Sequence, residues 1–353
     1  MSYYGCIELV GNEDEILDKL QVLFPATNQY LTPKAKMYLR GQFEGQCLVY
    51  KPNTNECLTP ISFMWMPSND KHRKLWLWCH PASYDTLGEI LISIFDGSLS
   101  TSTDEPPSKK LKNEQPSVTV NLLRDQQQLA RFRLIGPLSM AVLKHALHPS
   151  AIPGDVLERQ TAPAAWWSKE SFSIDKHQEQ TQFWNSSIGN TSTMMPNRIV
   201  SLVVRDPRVF TPVKPKLTLH DQVKVTTHIP SPAPSVDLAS SPLWNEQTRT
   251  HCSEHRLATY QINLLRSKSI ADQELQLNND ESQIPLIFVH HHDLLSPIST
   301  QRNDFGSGWD VILPNEWAQI FWVSLVYSGA RPIGQKELSL IAHETGRTIQ
   351  NEN

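Results

Sequence analysis

Two long stretches rich in proline, serine and charged residues divide this chain and limit the size of any one folded unit. The chain has 353 residues and carries 25 prolines against 14 glycines. Residues 97–117 hold few side chains that a core could bury, and such a segment does not repay the entropy of ordering it. Residues 214–283 begin with a proline-rich run, at 214–242, that is typical of an extended linker. They predict a disordered linker and a proline-rich, irregular one.

The remaining sequence predicts three blocks of strands and helices, at residues 1–96, 118–213 and 284–345. In the first block, Leu75 to Trp78 alternates leucine with tryptophan, a period of two that is typical of a strand. Residues 83–95 return to helical spacing. Strands interleaved with helices indicate an α/β or an α+β fold.

The formal net charge of −4 argues against binding of nucleic acid through bulk charge. Any RNA contact must therefore come from local clusters. Arg131 and Arg133 flank one aromatic residue in a stretch predicted to be extended, which places both guanidiniums on one face. The pair suits phosphate contacts, but solvated arginines at a strand edge are the simpler interpretation of this pattern. Arg205 and Arg208, which close a buried strand, could lie in a surface turn or make another phosphate contact, and both interpretations stay open.

A short lysine-rich run lies inside the first predicted linker. Its members are Lys109, Lys110 and Lys112. Such a run is typical of a nuclear import signal, and it is equally typical of a solvated, flexible patch. Both interpretations stay open.

A run of three histidines and an aspartate begins at His290. Neighbouring residues on a strand point to opposite faces, so at most His290 and His292 could share one ion. Zinc needs further ligands, and the nearby candidates, His251, Cys252 and His255, lie in a segment predicted to be a loop. We predict no metal site.

The sequence contains no nucleophile elbow of the Gly-x-Ser-x-Gly type and no phosphate-binding loop. We therefore predict no catalytic residue, and we do not expect the chain to be an enzyme by itself. The longest apolar run, near residues 317–326, is shorter than the 18 or more residues that a membrane helix needs. We expect no membrane partner.

Two segments resemble signatures of the largest protein subunit of nuclear ribonuclease P and RNase MRP. The segment from Arg131 to Ser139 (RFRLIGPLS) is similar to one motif of this family. The segment from Gly306 to Pro314 (GSGWDVILP), with the aromatic residues that follow it, is similar to the core of the family's POPLD domain. The basic N-terminal stretch and the C-terminal domain that are usual in the family have no counterpart here. We interpret the chain as a divergent or incomplete member.

The resemblance implies an α+β fold with mixed sheets, flanking helices and disordered insertions, similar to the folate-binding aminomethyltransferases. It implies a non-catalytic, RNA-binding scaffold of the ribonuclease P and RNase MRP ribonucleoproteins, located in the nucleus and nucleolus. Its processes would be removal of 5′ leaders from precursor tRNA and processing of precursor rRNA. Its partners would be RNase P RNA, RNase MRP RNA and the smaller protein subunits, with precursor tRNA contacted indirectly. The protein itself would hold no cofactor, because the partner RNA binds the catalytic magnesium.

The resemblance also implies roles for particular residues. The residues expected to bind RNA are Arg131, Arg133, Arg205, Arg208 and Arg331. The POPLD core, expected to be structural, comprises Trp309, Asp310, Pro314, Trp317, Phe321 and Trp322. Two alternatives stay open. One is a folate-dependent one-carbon transferase of the same fold, and the other is a protein-interaction module without direct RNA contact.

Overall fold

The computed structural model divides into two compact units, an N-terminal unit (Tyr3–Arg124) and a C-terminal unit (Asp125–Glu352). The residues that the structure describes are 4–24, 33–52, 54–68, 70–96, 118–124, 129–150, 174–186, 194–210, 236–270, 274–275, 277, 281–291 and 308–344. The first predicted linker, residues 97–117, and the three lysines of the possible import signal lie outside these ranges. The second, residues 214–283, is described over more than half of its length, and the prediction of an irregular segment is wrong there, because residues Glu246–Glu254 and Thr259–Lys268 form helices.

The N-terminal unit is built on a five-stranded antiparallel sheet with the strand order β2-β3-β4-β1-β5. Its strands are β1 (Gly5–Asn12), β2 (Gly45–Tyr50), β3 (Cys57–Trp65), β4 (His72–Cys79) and β5 (Val118–Leu123). Its helices are α1 (Glu13–Leu20), α2 (Lys36–Leu39) and α3 (Pro81–Phe95).

The alternation of leucine and tryptophan predicted for β4 places the leucines on the face that packs against helix α3. Leu75 and Leu77 point to one face, where they share a core with Leu87 and Leu91 of the helix. Pro81 occupies the first turn of α3, where its missing N–H costs no hydrogen bond. The same proline therefore ends the strand and begins the helix.

Strand β5 corrects a predicted boundary. The sequence interpretation assigned Val118–Leu123 to the second block, because the strand follows the predicted linker. In the structure this strand pairs antiparallel with β1, with Leu9 opposite Val120. The N-terminal unit therefore needs a strand from beyond residues 97–117 to complete its sheet.

The C-terminal unit contains a four-stranded antiparallel sheet with the strand order β6-β9-β8-β7. Its strands are β6 (Leu129–Ile135), β7 (Ile199–Arg205), β8 (Gln283–His291) and β9 (Gly308–Pro314). Its helices are α4 (Ser139–Ala146), α5 (Ile174–Ser186), α6 (Glu246–Glu254), α7 (Thr259–Lys268), α8 (Ala318–Tyr327) and α9 (Gln335–Glu344).

This sheet also corrects the predicted division into a second and a third block. Strand β6 pairs with β9, and β7 pairs with β8, so residues from both blocks form one core. Gly308 permits the close approach of β9 to β6, because a Cβ at that position would come within 1.9 Å of the Leu134 backbone oxygen.

The α+β class is confirmed. The strand pairs among the described residues are all antiparallel, so the expectation of mixed sheets is wrong. The likeness to aminomethyltransferases stays a prediction. In the part of the chain that the structure describes, no helix is both long enough and apolar enough to cross a membrane.

Candidate functional site

The central strand β9 carries a buried carboxylate that is contacted by basic side chains from both neighbouring strands. Asp310 has a side chain only 1% exposed. From β6, Arg131 Nε donates to its Oδ2 at 2.7 Å, and Arg133 donates through Nε to Oδ1 at 2.8 Å and through Nη2 to Oδ2 at 2.9 Å. The two arginines lie on one face of the strand, as their alternate spacing predicts.

Strand β8 contributes the fourth member of this Asp310 cluster, which we define as Arg131, Arg133, His291 and Asp310. The Nε2 atom of His291 lies 3.1 Å from Asp310 Oδ2 and 3.3 Å from Arg133 Nη2. Strand register explains why these side chains meet. Asp310 lies opposite Arg133 on β6, and it lies opposite Val289 on β8, two residues before His291.

The electrostatics of the cluster favour an ionised aspartate. Burial alone would raise the pKa of Asp310, but the charges of Arg131, Arg133 and His291 hold that pKa well below its ordinary value of 3.8. The ionised carboxylate accepts hydrogen bonds from both guanidiniums. A guanidinium also offers phosphate groups a planar fork of donors.

The two arginines differ in their access to solvent. The side chain of Arg131 is 4% exposed, whereas that of Arg133 is 41% exposed. Arg131 therefore pairs with the buried acid Asp310 and helps to organise the fold. We restrict the expected phosphate contact to Arg133.

Arg205 is held by two acids rather than presented to solvent. Its Nε and Nη2 donate to Glu281 at 2.5 and 3.0 Å, and its Nη2 lies 2.6 Å from Glu274. The hydrogen bond to Glu281 raises the pKa of the guanidinium, and the group also lies 4.9 Å from the centre of the Phe210 ring. These contacts give Arg205 a role within the unit.

Arg208 is also engaged in internal contacts. It pairs with Asp206 at 2.7 Å, donates to the Leu257 backbone oxygen at 2.7 Å and lies over the Trp317 ring at 5.3 Å. Its side chain is 10% exposed. Arg331, in contrast, is exposed in the segment after α8.

The expected POPLD core is buried for the most part. Trp309, Trp317 and Phe321 are at most 1% exposed, and the Trp317 indole donates to the Cys252 backbone oxygen at 3.0 Å. Trp322 is half-buried, with its ring 5.7 Å from that of Phe132. The remaining members are Pro314, which is the buried last residue of β9, and Asp310, which belongs to the Asp310 cluster.

The histidines considered as metal ligands lie in two places. His290 is 2% exposed and packs against Trp309, while His292 lies outside the described residues. The other candidates are on helix α6 or at its end, and not in a loop as predicted. There the rings of His251 and His255 stack at 3.9 Å, and burial raises the pKa of the Cys252 thiol.

Sequence reasoning found both arginines of the cluster but gave Asp310 only a role in the core. It named His291 only as part of the histidine run, and placed it on the strand face opposite to His290 and His292. One signal could have joined them, namely a single acid inside the apolar strand Trp309 to Pro314. A buried acid needs a cationic partner, and the paired arginines at 131 and 133 are candidates.

Comparison with known proteins agrees with the resemblance noted in the sequence. Residues 308–352 match the family model described as the POPLD (NUC188) domain. The protein "Ribonucleases P/MRP protein subunit POP1" of Homo sapiens is 28% identical over 96% of this chain and 39% of its own length. The protein of the same name from Arabidopsis thaliana is 21% identical over 98% of this chain and 43% of its own.

A third relative is "Ribonucleases P/MRP protein subunit popl-1" of Caenorhabditis elegans. It is 22% identical over 75% of this chain and 29% of its own length. The chain therefore spans about two fifths, or less, of the curated relatives it matches. Within the matched POPLD segment lie β9 and Asp310.

Proposed function

We propose that this chain, a divergent relative of the POP1 subunits of ribonucleases P/MRP, is a non-catalytic, RNA-binding scaffold subunit of those ribonucleoproteins. The named relatives support membership of the complexes. The processes served would be removal of the 5′ leader from precursor tRNA and processing of precursor rRNA.

The Asp310 cluster is the observation that carries the RNA-binding part of this proposal. Arg133 is exposed, yet two hydrogen bonds to a buried, ionised carboxylate fix the orientation of its guanidinium. A cation fixed in this way loses little side-chain entropy when a phosphate arrives. Phosphate contacts of this kind position an RNA without reading its sequence.

The partners we propose are RNase P RNA, RNase MRP RNA and the smaller protein subunits, with precursor tRNA contacted through the assembled particle. The partner RNA would bind magnesium and perform the cleavage. We place the protein in the nucleus and nucleolus, with Lys109, Lys110 and Lys112 as the proposed import signal. Alanine at all three positions tests that signal through the location of a tagged chain.

RNA binding by the full chain is tested by titration with fluorescent RNA over a range of salt concentrations. Arg133→Ala should weaken binding to unrelated RNA sequences about equally and lower the slope of log affinity against log salt by about 0.7–0.9. Arg133→Lys should restore part of the affinity, because lysine keeps the charge and loses the planar fork.

A matched control is Arg124→Ala, since this arginine is also exposed and pairs with an acid, Asp85. Its affinity and salt slope should equal those of the wild type. An unchanged slope in a stably folded Arg133→Ala protein would remove Arg133 from the RNA site. Sequencing of the RNA that co-purifies with the tagged chain from cells tests membership of the two particles.

A further inference from the structure

Helix α7 (Thr259–Lys268) buries little of its own surface in the C-terminal unit. Ile262 is its one buried residue, and it belongs to a small cluster with Val209, Leu275 and Leu277. Helices in proteins gain most of their stability by packing an apolar face. This helix therefore obtains limited stabilisation from the unit that carries it.

The largest apolar side chains of α7 point away from that cluster. Tyr260 is 71% exposed and Leu264 is 55% exposed. At about 100° per residue, both lie roughly 160° from Ile262 around the helix axis, so they share the outward face. Leu265, which is 41% exposed, lies about 60° from Ile262 on the flank of the helix, and Ile270, which is 69% exposed, follows the helix end.

The same segment carries only positive charge. Between residues 256 and 271 the sequence has Arg256, Arg266 and Lys268 and no acidic residue, in a chain whose net charge is −4. Arg266 donates to the Arg208 backbone oxygen. Among the described residues, neither Arg266 nor Lys268 forms an ion pair with a carboxylate.

We propose that α7 is a docking helix for a protein partner that offers an apolar groove rimmed by carboxylates. An amphipathic helix that presents residues four positions apart is a common way to fill such a groove, and exposed apolar surface of this kind marks interaction sites. The cations at the end of the helix complement an acidic rim. This proposal goes beyond the RNA contact at Arg133 and does not depend on it.

The side chains favour a protein over RNA as the partner. Three of the four exposed apolar residues are aliphatic, and aliphatic groups offer no flat ring on which a base can stack. Leu264 shares the outward face with Tyr260, and we expect it to enter a pocket of the groove. RNA binding at this surface is the competing outcome of the test.

The test uses the full chain and a labelled two-helix hairpin peptide of leucine and glutamate, whose helices leave between them an apolar groove rimmed by carboxylates. Fluorescence anisotropy gives its affinity. Leu264→Ser should weaken binding about tenfold or more, because a leucine loses its burial. Lys268→Glu should weaken binding about threefold or more and improve binding of the matching leucine and lysine peptide.

The control is Leu340→Ser, which removes a similarly exposed leucine (62%) from helix α9 and should leave peptide binding unchanged. A uridine oligonucleotide is titrated against the same proteins. Equal peptide affinity in wild type and Leu264→Ser, or loss of oligonucleotide binding without loss of peptide binding, overturns the proposal. Arg133→Ala should reduce RNA binding and not peptide binding, so that failure of either proposal is seen separately.

Discussion

Arg133 and Asp310 form a bidentate ion pair in which the acid is 1% exposed and the arginine side chain is 41% exposed. The carboxylate is thus committed to the interior while its partner reaches the surface. Because Arg131 and His291 contact the same carboxylate, removing the acid should affect stability as well as binding.

We expect Asp310→Asn to destabilise the protein by roughly 3–5 kcal/mol, since it leaves the buried guanidinium of Arg131 without its counter-ion. Urea denaturation of the full chain measures this loss. The comparison is Asp85→Asn, which breaks an exposed ion pair with Arg124 and should cost less than about 1 kcal/mol. Similar losses in both variants would contradict a structural role for the cluster.

The stability that Asp310 provides should depend on pH only in the acid range. Its pKa in the folded protein lies below the ordinary value of 3.8, so the unfolded chain takes up the proton first as pH falls. The contribution is complete above about pH 4 to 5 and declines below it. The difference in unfolding free energy between wild type and Asp310→Asn should therefore be constant near neutrality and shrink below pH 4.

Replacement of Arg131 should mainly lower stability, whereas replacement of Arg133 should mainly weaken RNA binding, although the two residues lie two positions apart on one strand. Arg131→Ala should cost roughly 3 kcal/mol, because it breaks a buried pair, and the remaining folded protein should keep the wild-type salt slope. Arg133→Ala should lose RNA affinity at a smaller cost in stability. Thermal melting and salt-titrated RNA binding on the same samples check both. The reverse assignment of effects would show that Arg131 is the RNA contact.

Trp309 should be needed for folding rather than for RNA contact. Its ring packs against Phe288 and His290 in the core of the C-terminal unit, so Trp309→Ala should cost about 3–5 kcal/mol and give insoluble protein. Tyr327→Ala, at a position that is 60% exposed, should change stability by less than about 0.5 kcal/mol. A soluble Trp309→Ala protein with native melting would contradict this expectation.

The purified chain should not cleave RNA by itself. It is incubated with precursor tRNA and magnesium in the absence of any partner RNA, and the 5′ end of the product is mapped. We expect no cleavage at the mature 5′ end. Specific cleavage that persists after the preparation has been treated to remove RNA would contradict the proposed scaffold function.

Local patterns in the sequence predicted the elements well. The alternating leucines and tryptophans of β4 specify that strand, and the helical spacing of residues 83–95 specifies most of α3 (Pro81–Phe95). The prediction of a loop around His251 and Cys252 is wrong, because helix α6 has too few apolar residues to show helical periodicity. That helix is held by tertiary contacts, including the hydrogen bond that Cys252 accepts from Trp317.

Pairing between distant strands could not be predicted in the same way. The assignment of β5 to the second block failed because Val118–Leu123 has the same strand pattern whichever sheet it joins. The Asp310 cluster depends on β6 lying beside β9, which are separated by about 170 residues of chain. Local periodicity carries no information about that register. The contact of Asp310 with Arg131 and Arg133 therefore could not be predicted from it.

Because β9 lies between β6 and β8 and follows them in the sequence, the C-terminal sheet can form only after β9 has been synthesised. The N-terminal unit has all its strands once Arg124 has been synthesised. Strand β6, in contrast, meets its partner only when Gly308–Pro314 emerges, and until then β8 also has an open edge. Open strand edges pair with other chains and promote aggregation. A nascent or truncated chain that ends before Gly308 should therefore depend on chaperones. This dependence should end when β9 is inserted between β6 and β8.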